Sequence, residues 1–258
     1  MSTIAPELGA LALSVSMAVA AGLVGCFAVM RRMTLAADAM SHVALPGIGV
    51  ALALHLNPLA GALVMLFLGA ALIWSIETKT KIATETVIGV VFSVALAVGS
   101  MIASGEELID ALLGSPRALT AWEIAVGVAA ALGVIVFILR ARNSLIVSLV
   151  SPEIALTSAV NVARMDLYFL LAFALTVGLG LRYLGVLLMG ALIIIPAAIA
   201  KRLARSLNGM FLVSVTAAVL STVAGTYAAA LAGRHSGPFI VIIAGGLFFL
   251  SLLRPREA

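Results

Sequence analysis

The sequence predicts an all-α, polytopic membrane protein that crosses the bilayer about eight or nine times. Its composition supports this: 64% of the 258 residues are hydrophobic and only 10% are charged. Soluble globular domains are about half apolar and about a quarter charged. The order of the residues supports it too, because the apolar residues form runs close to the length of about twenty that a helix needs to cross the hydrocarbon core.

The apolar runs define the candidate spans, several of which are short and rich in Gly or Pro. Their limits are 8–30, 36–55, 58–76, 86–103, 120–139, 166–181, 185–200, 210–232 and 238–253. Only Arg182 and Tyr183 separate 166–181 from 185–200, which leaves the count at eight or nine. Together the spans form a single transmembrane domain over residues 1–258, with no soluble domain.

The first run is predicted to be a retained span, not a cleaved secretion signal. Glu7 precedes it, and Arg31 and Arg32 follow it. A signal peptide has its positive charge before the apolar stretch and a small-residue cleavage site after it. This charge order places the start of the chain outside and the end of the first span inside.

The basic residues predict an orientation for the whole chain. With the start outside, twelve Lys and Arg residues fall in inward connections and three in outward ones. The inward residues are Arg31, Arg32, Lys79, Lys81, Arg140, Arg142, Arg164, Lys201, Arg202, Arg205, Arg254 and Arg256, and the outward residues are Arg117, Arg182 and Arg234. This positive-inside bias predicts a cytoplasmic C-terminus. It also accounts for the basic net charge through contact with membrane lipid, so nucleic acid is not an expected partner.

One intramembrane segment carries a pair of ionisable residues. Asp38 and His42 lie four residues apart, which places them on one face of a helix. Ionisable side chains inside a membrane are costly and by default mark a functional site. A carboxylate and an imidazole together suit a divalent cation such as zinc, manganese or ferrous iron. Ser41 adds a neighbouring hydroxyl, and Pro46 is expected to kink the helix just beyond.

The same spacing also fits a structural Asp–His hydrogen bond near the cytoplasmic end of the span. Two ligands, moreover, do not fill a coordination shell, so other spans, a neighbouring chain or water must complete it. The remaining candidates are weaker. His55 and His235 are expected to be solvated loop residues, and Cys26 to face lipid or pack inside.

Two of the connections between spans are predicted to have a role beyond joining the helices. The outward segment 105–117 contains Glu106, Glu107 and Asp110, either as a solvated acidic loop or as a surface that attracts cations or a delivery protein. The inward segment, about 143–165, is the longest. Within it, Ser151 as N-cap and Pro152 at the first helical position predict a short surface helix.

This short helix has two interpretations. It either rests in the membrane interface as an amphipathic helix or docks a cytoplasmic partner. The chain has no phosphate-binding loop and no H-E-x-x-H or G-x-S-x-G motif. It is therefore expected to be neither an ATPase nor a hydrolase, and to hold no permanently bound cofactor.

Three segments in order resemble one known family. They are RRMTLAADAMSHVALPG (31–47), SPEIALTSAVNVARMD (151–166) and MGALIIIPAAIAKRLAR (189–205). They are similar to the permeases of zinc/manganese/iron-type ATP-binding cassette importers, and the similarity extends over about residues 8–253. The resemblance implies a type II-like importer permease in the bacterial cytoplasmic membrane that imports zinc, manganese or iron.

The resemblance also implies partners and roles. Such permeases form a homodimer around a central metal pathway, with two ATP-binding subunits beneath and an extracytoplasmic solute-binding protein above. The family's D-x-x-x-H pattern falls on Asp38 and His42. Its coupling helix falls on 152–162, where the expected contacts with the ATPase are Pro152, Glu153, Ala155 and Ala159. The alternatives are a secondary metal–proton antiporter that uses the same Asp–His pair, and a purely structural membrane protein.

Overall fold

The described part of the structure is built from α-helices joined by short connections. The structure is a computed structural model that describes residues 4–80, 82–102, 120–150, 153, 161–183 and 186–253. In this part of the chain the helices are α1 (Ile4–Met30), α2 (Ala36–Val43), α3 (Leu45–Ala53), α4 (Pro58–Thr80), α5 (Thr84–Ile102), α6 (Ala121–Val150), α7 (Val162–Tyr183), α8 (Val186–Leu203), α9 (Leu207–Ala232) and α10 (Ser236–Leu252). The all-α prediction is confirmed.

Within the described ranges, seven segments are long and apolar enough to cross a membrane: α1, the α2–α3 pair, α4, α5, α6, α7 and α9. The 18-residue α8 contains Pro196, and α10 is a shorter apolar helix. These helices confirm the predicted multi-spanning architecture, and they match the predicted eight or nine crossings approximately.

Helix α1 forms the centre of the bundle. It packs against α6, α7, α8 and α9, and 72% of its most apolar stretch is buried, against 22% for α5 and for α6. Phe27 of α1 meets the rings of Phe169 and Phe211 in the core. A Cβ on Gly25 would overlap the carbonyl oxygen of Ile193, so glycine lets α8 approach the backbone of α1. Small residues commonly allow such contacts between membrane helices.

The predicted span 36–55 is a kinked pair of helices with its break at Ala44. Pro46 cannot donate a hydrogen bond to the carbonyl of His42, four residues earlier, and its ring crowds that position. The N–H of Ala44 bonds to this carbonyl instead. Beyond the break, Gly47 of α3 lies against Gly61 of α4, where a Cβ on either residue would overlap the other's carbonyl oxygen.

Helix α6 is longer than the predicted span 120–139. It has 30 residues, or about 45 Å at 1.5 Å per residue, against about 30 Å of hydrocarbon. The charges of Arg140 and Arg142 indicate where the chain leaves the apolar layer, but charge does not stop a helix. Helix α6 continues past both arginines to Val150, the last described residue before position 153. The first eight residues of the predicted connection 143–165 therefore belong to α6, and its last four to α7.

At one end of the bundle, several basic residues form hydrogen bonds between helices. They join the end of α1 to the start of α7, α6 to α9, and the end of α8 to that of α10. The pairs are Arg31 Nη1 with Asp166 Oδ1 (2.6 Å), Arg142 Nη1 with Asn208 Oδ1 (3.2 Å) and Arg202 Nε with the Ser251 carbonyl (2.9 Å). We call this the basic end. At the opposite end, the Tyr183 hydroxyl donates to the Glu123 carbonyl at 3.0 Å.

Several residues singled out in the sequence lie outside the described residues. They are Pro152, Ala155 and Ala159 of the coupling segment, and Glu106, Glu107 and Asp110 of the outward acidic segment. Glu153 is described, and it is helical and exposed.

Candidate functional site

Asp38 lies in the first turn of α2 with its side chain on the open surface of the chain. Helix α2 packs against α5, α7 and α8. Its backbone at Asp38 lies beside Gly190 of α8, where an added Cβ would come within 3.8 Å of the Asp38 Cα. Among the described residues the Asp38 carboxylate has no ion-pair or hydrogen-bond partner. An exposed, unpaired carboxylate in so apolar a chain is available to a cation that arrives from outside.

His42 lies one helical turn further along α2 and is half-buried. Its Nδ1 is buried and has no hydrogen-bond partner in the described part of the chain. The ring meets Phe92 of α5 edge-on, with centroids 5.5 Å apart. A buried ring nitrogen without a partner costs free energy, and a metal ligand is one use for such a nitrogen.

The two side chains are not tied to each other. No hydrogen bond or ion pair joins Asp38 to His42 in this structure, although helical neighbours at this spacing have Cβ atoms about 5–6 Å apart. The Asp–His hydrogen bond of the structural alternative is therefore not formed. Both groups remain free to bind something else.

Ser41 occupies a different environment. It is fully buried, and its Oγ donates to the carbonyl of Ala37 at 2.8 Å. A serine in this arrangement returns its hydroxyl to its own helix. Ser41 thus lies beside the Asp38–His42 face but turned into the protein.

The described residues of one chain do not complete a coordination shell around Asp38 and His42. In the described ranges no cluster of three or more His, Cys, Asp or Glu residues is present that could hold a metal. His55 and His235 are exposed in turns, as predicted for loop residues. Cys26 is buried, with Sγ 3.6 Å from the Met210 carbonyl, so it packs inside and does not face lipid.

Sequence reasoning missed a second polar cluster, at the basic end. Arg31 bonds to Asp166 and stacks on Phe169, with its guanidinium carbon 4.7 Å from the ring centroid. The Arg31 and Asp166 side chains are only 11% and 21% exposed. From the sequence, Arg31 indicates only the orientation of the first span. Asp166, an acidic residue at the start of an apolar run, was the available hint that it had a partner.

The same cluster holds the start of α7 in place. Trp74 of α4 donates its indole N–H to the Ala163 carbonyl at 2.6 Å. Asn161 accepts from the Arg164 N–H at 3.0 Å, as an N-cap residue does. The helix that contains the end of the predicted coupling segment is thereby fixed to α1 and α4.

Known proteins are similar to this chain in sequence and, where a structure has been solved, in fold. The model of the ABC 3 transport family matches residues 7–255. The chain is 30% identical over 239 residues to the high-affinity zinc uptake system membrane protein ZnuB of Haemophilus influenzae, covering 89% of this chain and 90% of that protein. It is 29% identical over 248 residues to the manganese transport system membrane protein MntC of Listeria monocytogenes, covering 95% and 89%.

A solved structure agrees over nearly the whole chain. PsaBC from Streptococcus pneumoniae, solved in complex with Fab, superposes with a TM-score of 0.82 at 27% identity, covering 97% of this chain and 92% of that one. Membership of one family thus accounts for both the order of the helices and the three sequence segments. The chain belongs to the ABC 3 transport family, as a membrane-spanning transport subunit and not an enzyme.

Proposed function

We propose that this chain is the permease of an ATP-driven importer that moves a divalent metal ion, zinc, manganese or iron, past Asp38 and His42. The observation that carries the proposal is the pair itself: a carboxylate and an imidazole, one turn apart in an apolar bundle, neither with a hydrogen-bond or ion-pair partner among the described residues. Its relatives ZnuB and MntC are named for zinc uptake and manganese transport. Their names support a divalent metal as the substrate.

A sparse site suits transport better than a closed one. Structural zinc sites hold the ion with four protein ligands and do not release it. A transport site must replace part of the ion's hydration shell and still allow it to leave. Asp38 supplies negative charge and His42 a nitrogen donor, and Ser41 supports α2 from the buried side.

We further propose that a second copy of the chain completes the site. Asp38 is exposed on a single chain, and two copies facing each other would offer two carboxylates and two imidazoles. Two carboxylates balance the charge of a divalent ion, and four ligands match the number that zinc commonly takes. The same arrangement places the ion at the seam between subunits.

Energy is proposed to enter through the segment between α6 and α7. Pro152, Glu153, Ala155 and Ala159 would contact an ATP-binding subunit, present in two copies. Movement there reaches α7 through Asn161, α4 through Trp74 and Ala163, and α1 through Arg31 and Asp166. Because α1 leads directly into α2, a shift at Arg31 moves the helix that carries Asp38 and His42.

The orientation follows from charge. We place the basic end and the C-terminus in the cytoplasm, in accordance with the positive-inside rule, and the chain in a bacterial cytoplasmic membrane. An extracytoplasmic solute-binding protein would deliver the metal from the opposite side. Nothing in the fold or the relatives favours the antiporter alternative.

The test is metal uptake into proteoliposomes that contain the permease, its ATP-binding subunit and its delivery protein. Uptake should require ATP and should be lost in Asp38→Ala and His42→Ala, while the complexes still assemble. A proton gradient without ATP should not drive it. Normal uptake by both variants would remove the pair from the mechanism, and uptake driven by protons alone would favour the antiporter.

A further inference from the structure

An apolar groove lies between α4, α6 and α7 on the outside of the bundle, away from the Asp38–His42 pair. Its volume is about 420 Å³. Its lining residues are Phe67, Gly133, Val134, Phe137, Tyr168, Leu171, Ala172 and Leu175. With the exception of the Tyr168 hydroxyl, their side chains are hydrocarbon. Exposed apolar residues flank it on α4 and α6, namely Leu68, Leu132 and Val136. The groove therefore opens onto the apolar layer of the membrane.

Gly133 forms part of this space. A Cβ added at Gly133 would meet nothing within 4 Å, and the position is exposed. The glycine is thus not required by the packing of α6 against a neighbouring helix. Its effect is to leave the groove open.

Two arginines continue the groove toward the basic end. Arg140 follows Phe137 by three residues on α6, and Arg164 precedes Tyr168 by four residues on α7. Residues at these spacings share a helix face. Both arginines are exposed, and within the described ranges neither guanidinium has a hydrogen-bond or ion-pair partner. Tyr168, 45% exposed, lies between the apolar and the charged parts, as aromatic residues do at membrane interfaces.

We propose that this groove binds one anionic phospholipid, with an acyl chain along α6 and α7 and the phosphate between Arg140 and Arg164. The charge pattern favours this occupant. The apolar channel is about 10 Å long from Tyr168 to Leu175, at 1.5 Å per residue. It ends at headgroup depth at the two arginines, which have no partner among the described residues. Basic pockets between membrane helices bind anionic headgroups in this way. An apolar helix of a partner protein would fill the groove but leave both arginines unmatched.

The test measures which lipids stay bound to the full chain purified in detergent. The chain is exchanged into vesicles of phosphatidylglycerol and phosphatidylcholine in equal amounts, extracted, and weighed by native mass spectrometry. Wild type should retain phosphatidylglycerol at least tenfold over phosphatidylcholine. Arg140→Ala with Arg164→Ala should abolish this preference, whereas Arg140→Lys with Arg164→Lys should keep part of it. Arg234→Ala, at the opposite end, is the charge control.

A second variant tests the groove independently of the charges. Gly133→Leu should displace both lipids by filling the channel. Gly246→Leu is the matched control, because Gly246 is also exposed with nothing within 4 Å of its added Cβ. Equal retention of the two lipids by wild type, or unchanged retention in Gly133→Leu, would overturn the proposal. So would a disulfide between two copies that both carry Gly133→Cys, because a second copy would then cover the groove.

Discussion

Two aspartates in the bundle differ in whether another described residue pairs with their carboxylate. Asp166 is held at 2.6 Å by Arg31, whose guanidinium stacks on the ring of Phe169, in a cluster that fixes the start of α7. Asp38 is exposed in the first turn of α2, with no partner among the described residues, and His42 one turn away is likewise unpaired. A carboxylate that stabilises the fold is given its counter-ion within the chain. Under the proposed function, the counter-ion of Asp38 is the transported metal.

The largest loss of uptake is expected when Asp38 is replaced by its isosteric amide. Asp38→Asn removes the charge that attracts the ion and keeps the shape, so ATP-driven uptake should fall about 100-fold, the equivalent of about 3 kcal/mol. Stability should change by no more than about 0.5 kcal/mol, as for surface substitutions. Uptake and thermal unfolding of one preparation check both expectations. A large loss of stability with normal uptake would reverse the roles of the two aspartates.

A smaller loss of uptake is expected when α8 is pushed against the site. A Cβ at position 190 makes ordinary contact with α2, so Gly190→Ala should transport normally. The longer side chain of Gly190→Leu must displace α2 near Asp38, and overpacking of this kind costs about 1–3 kcal/mol. Uptake should fall about tenfold. If Gly190→Leu transports like wild type, the position of Asp38 relative to α8 does not matter for transport.

At the other aspartate, the main effect should be on stability. Asp166→Asn leaves the guanidinium of Arg31 without its counter-ion in a mostly buried position. The expected loss in free energy of unfolding is about 2 kcal/mol, between the values for exposed and fully buried pairs. Uptake should fall only several-fold, through weaker coupling. The charge-exchange variant, Arg31→Asp with Asp166→Arg, should recover part of the stability and part of the uptake. If it recovers neither, the Arg31–Asp166 pair is not the link between α1 and α7.

The smallest effect is expected at Ser41. Ser41→Ala removes one hydrogen bond to the Ala37 carbonyl inside α2, worth about 1 kcal/mol. Uptake should stay within about twofold of wild type because the hydroxyl does not reach the open face. A loss of uptake as large as that of Asp38→Asn would show that Ser41 is a ligand after all.

The sequence could predict those features that depend on neighbouring residues. The helical spans follow from apolar runs, the kink follows from Pro46, and the Asp38–His42 face follows from helical spacing. Family membership was visible because three motifs occur in order. Each of these signals lies within a stretch of a few turns.

The features that it could not predict depend on tertiary packing. Arg31 and Asp166 are 135 positions apart, and nothing local to Arg31 distinguishes a buried ion pair from a topology signal. The burial of Ser41 depends on which side of α2 meets the bundle. The length of α6 was underestimated because hydropathy marks the edge of the membrane, whereas a helix can continue beyond that edge.

The most direct test of the central claim is whether His42 binds the metal. Manganese(II) is added to the assembled transporter in which only this chain carries ¹⁵N-labelled histidine, and the ¹⁵N hyperfine coupling is measured by pulsed electron paramagnetic resonance. The chain has only three histidines, so assignment needs only single variants. The coupling should appear in wild type and in His55→Gln and vanish in His42→Gln. No coupling in a wild-type sample that transports manganese, or coupling that persists in His42→Gln, would contradict the account.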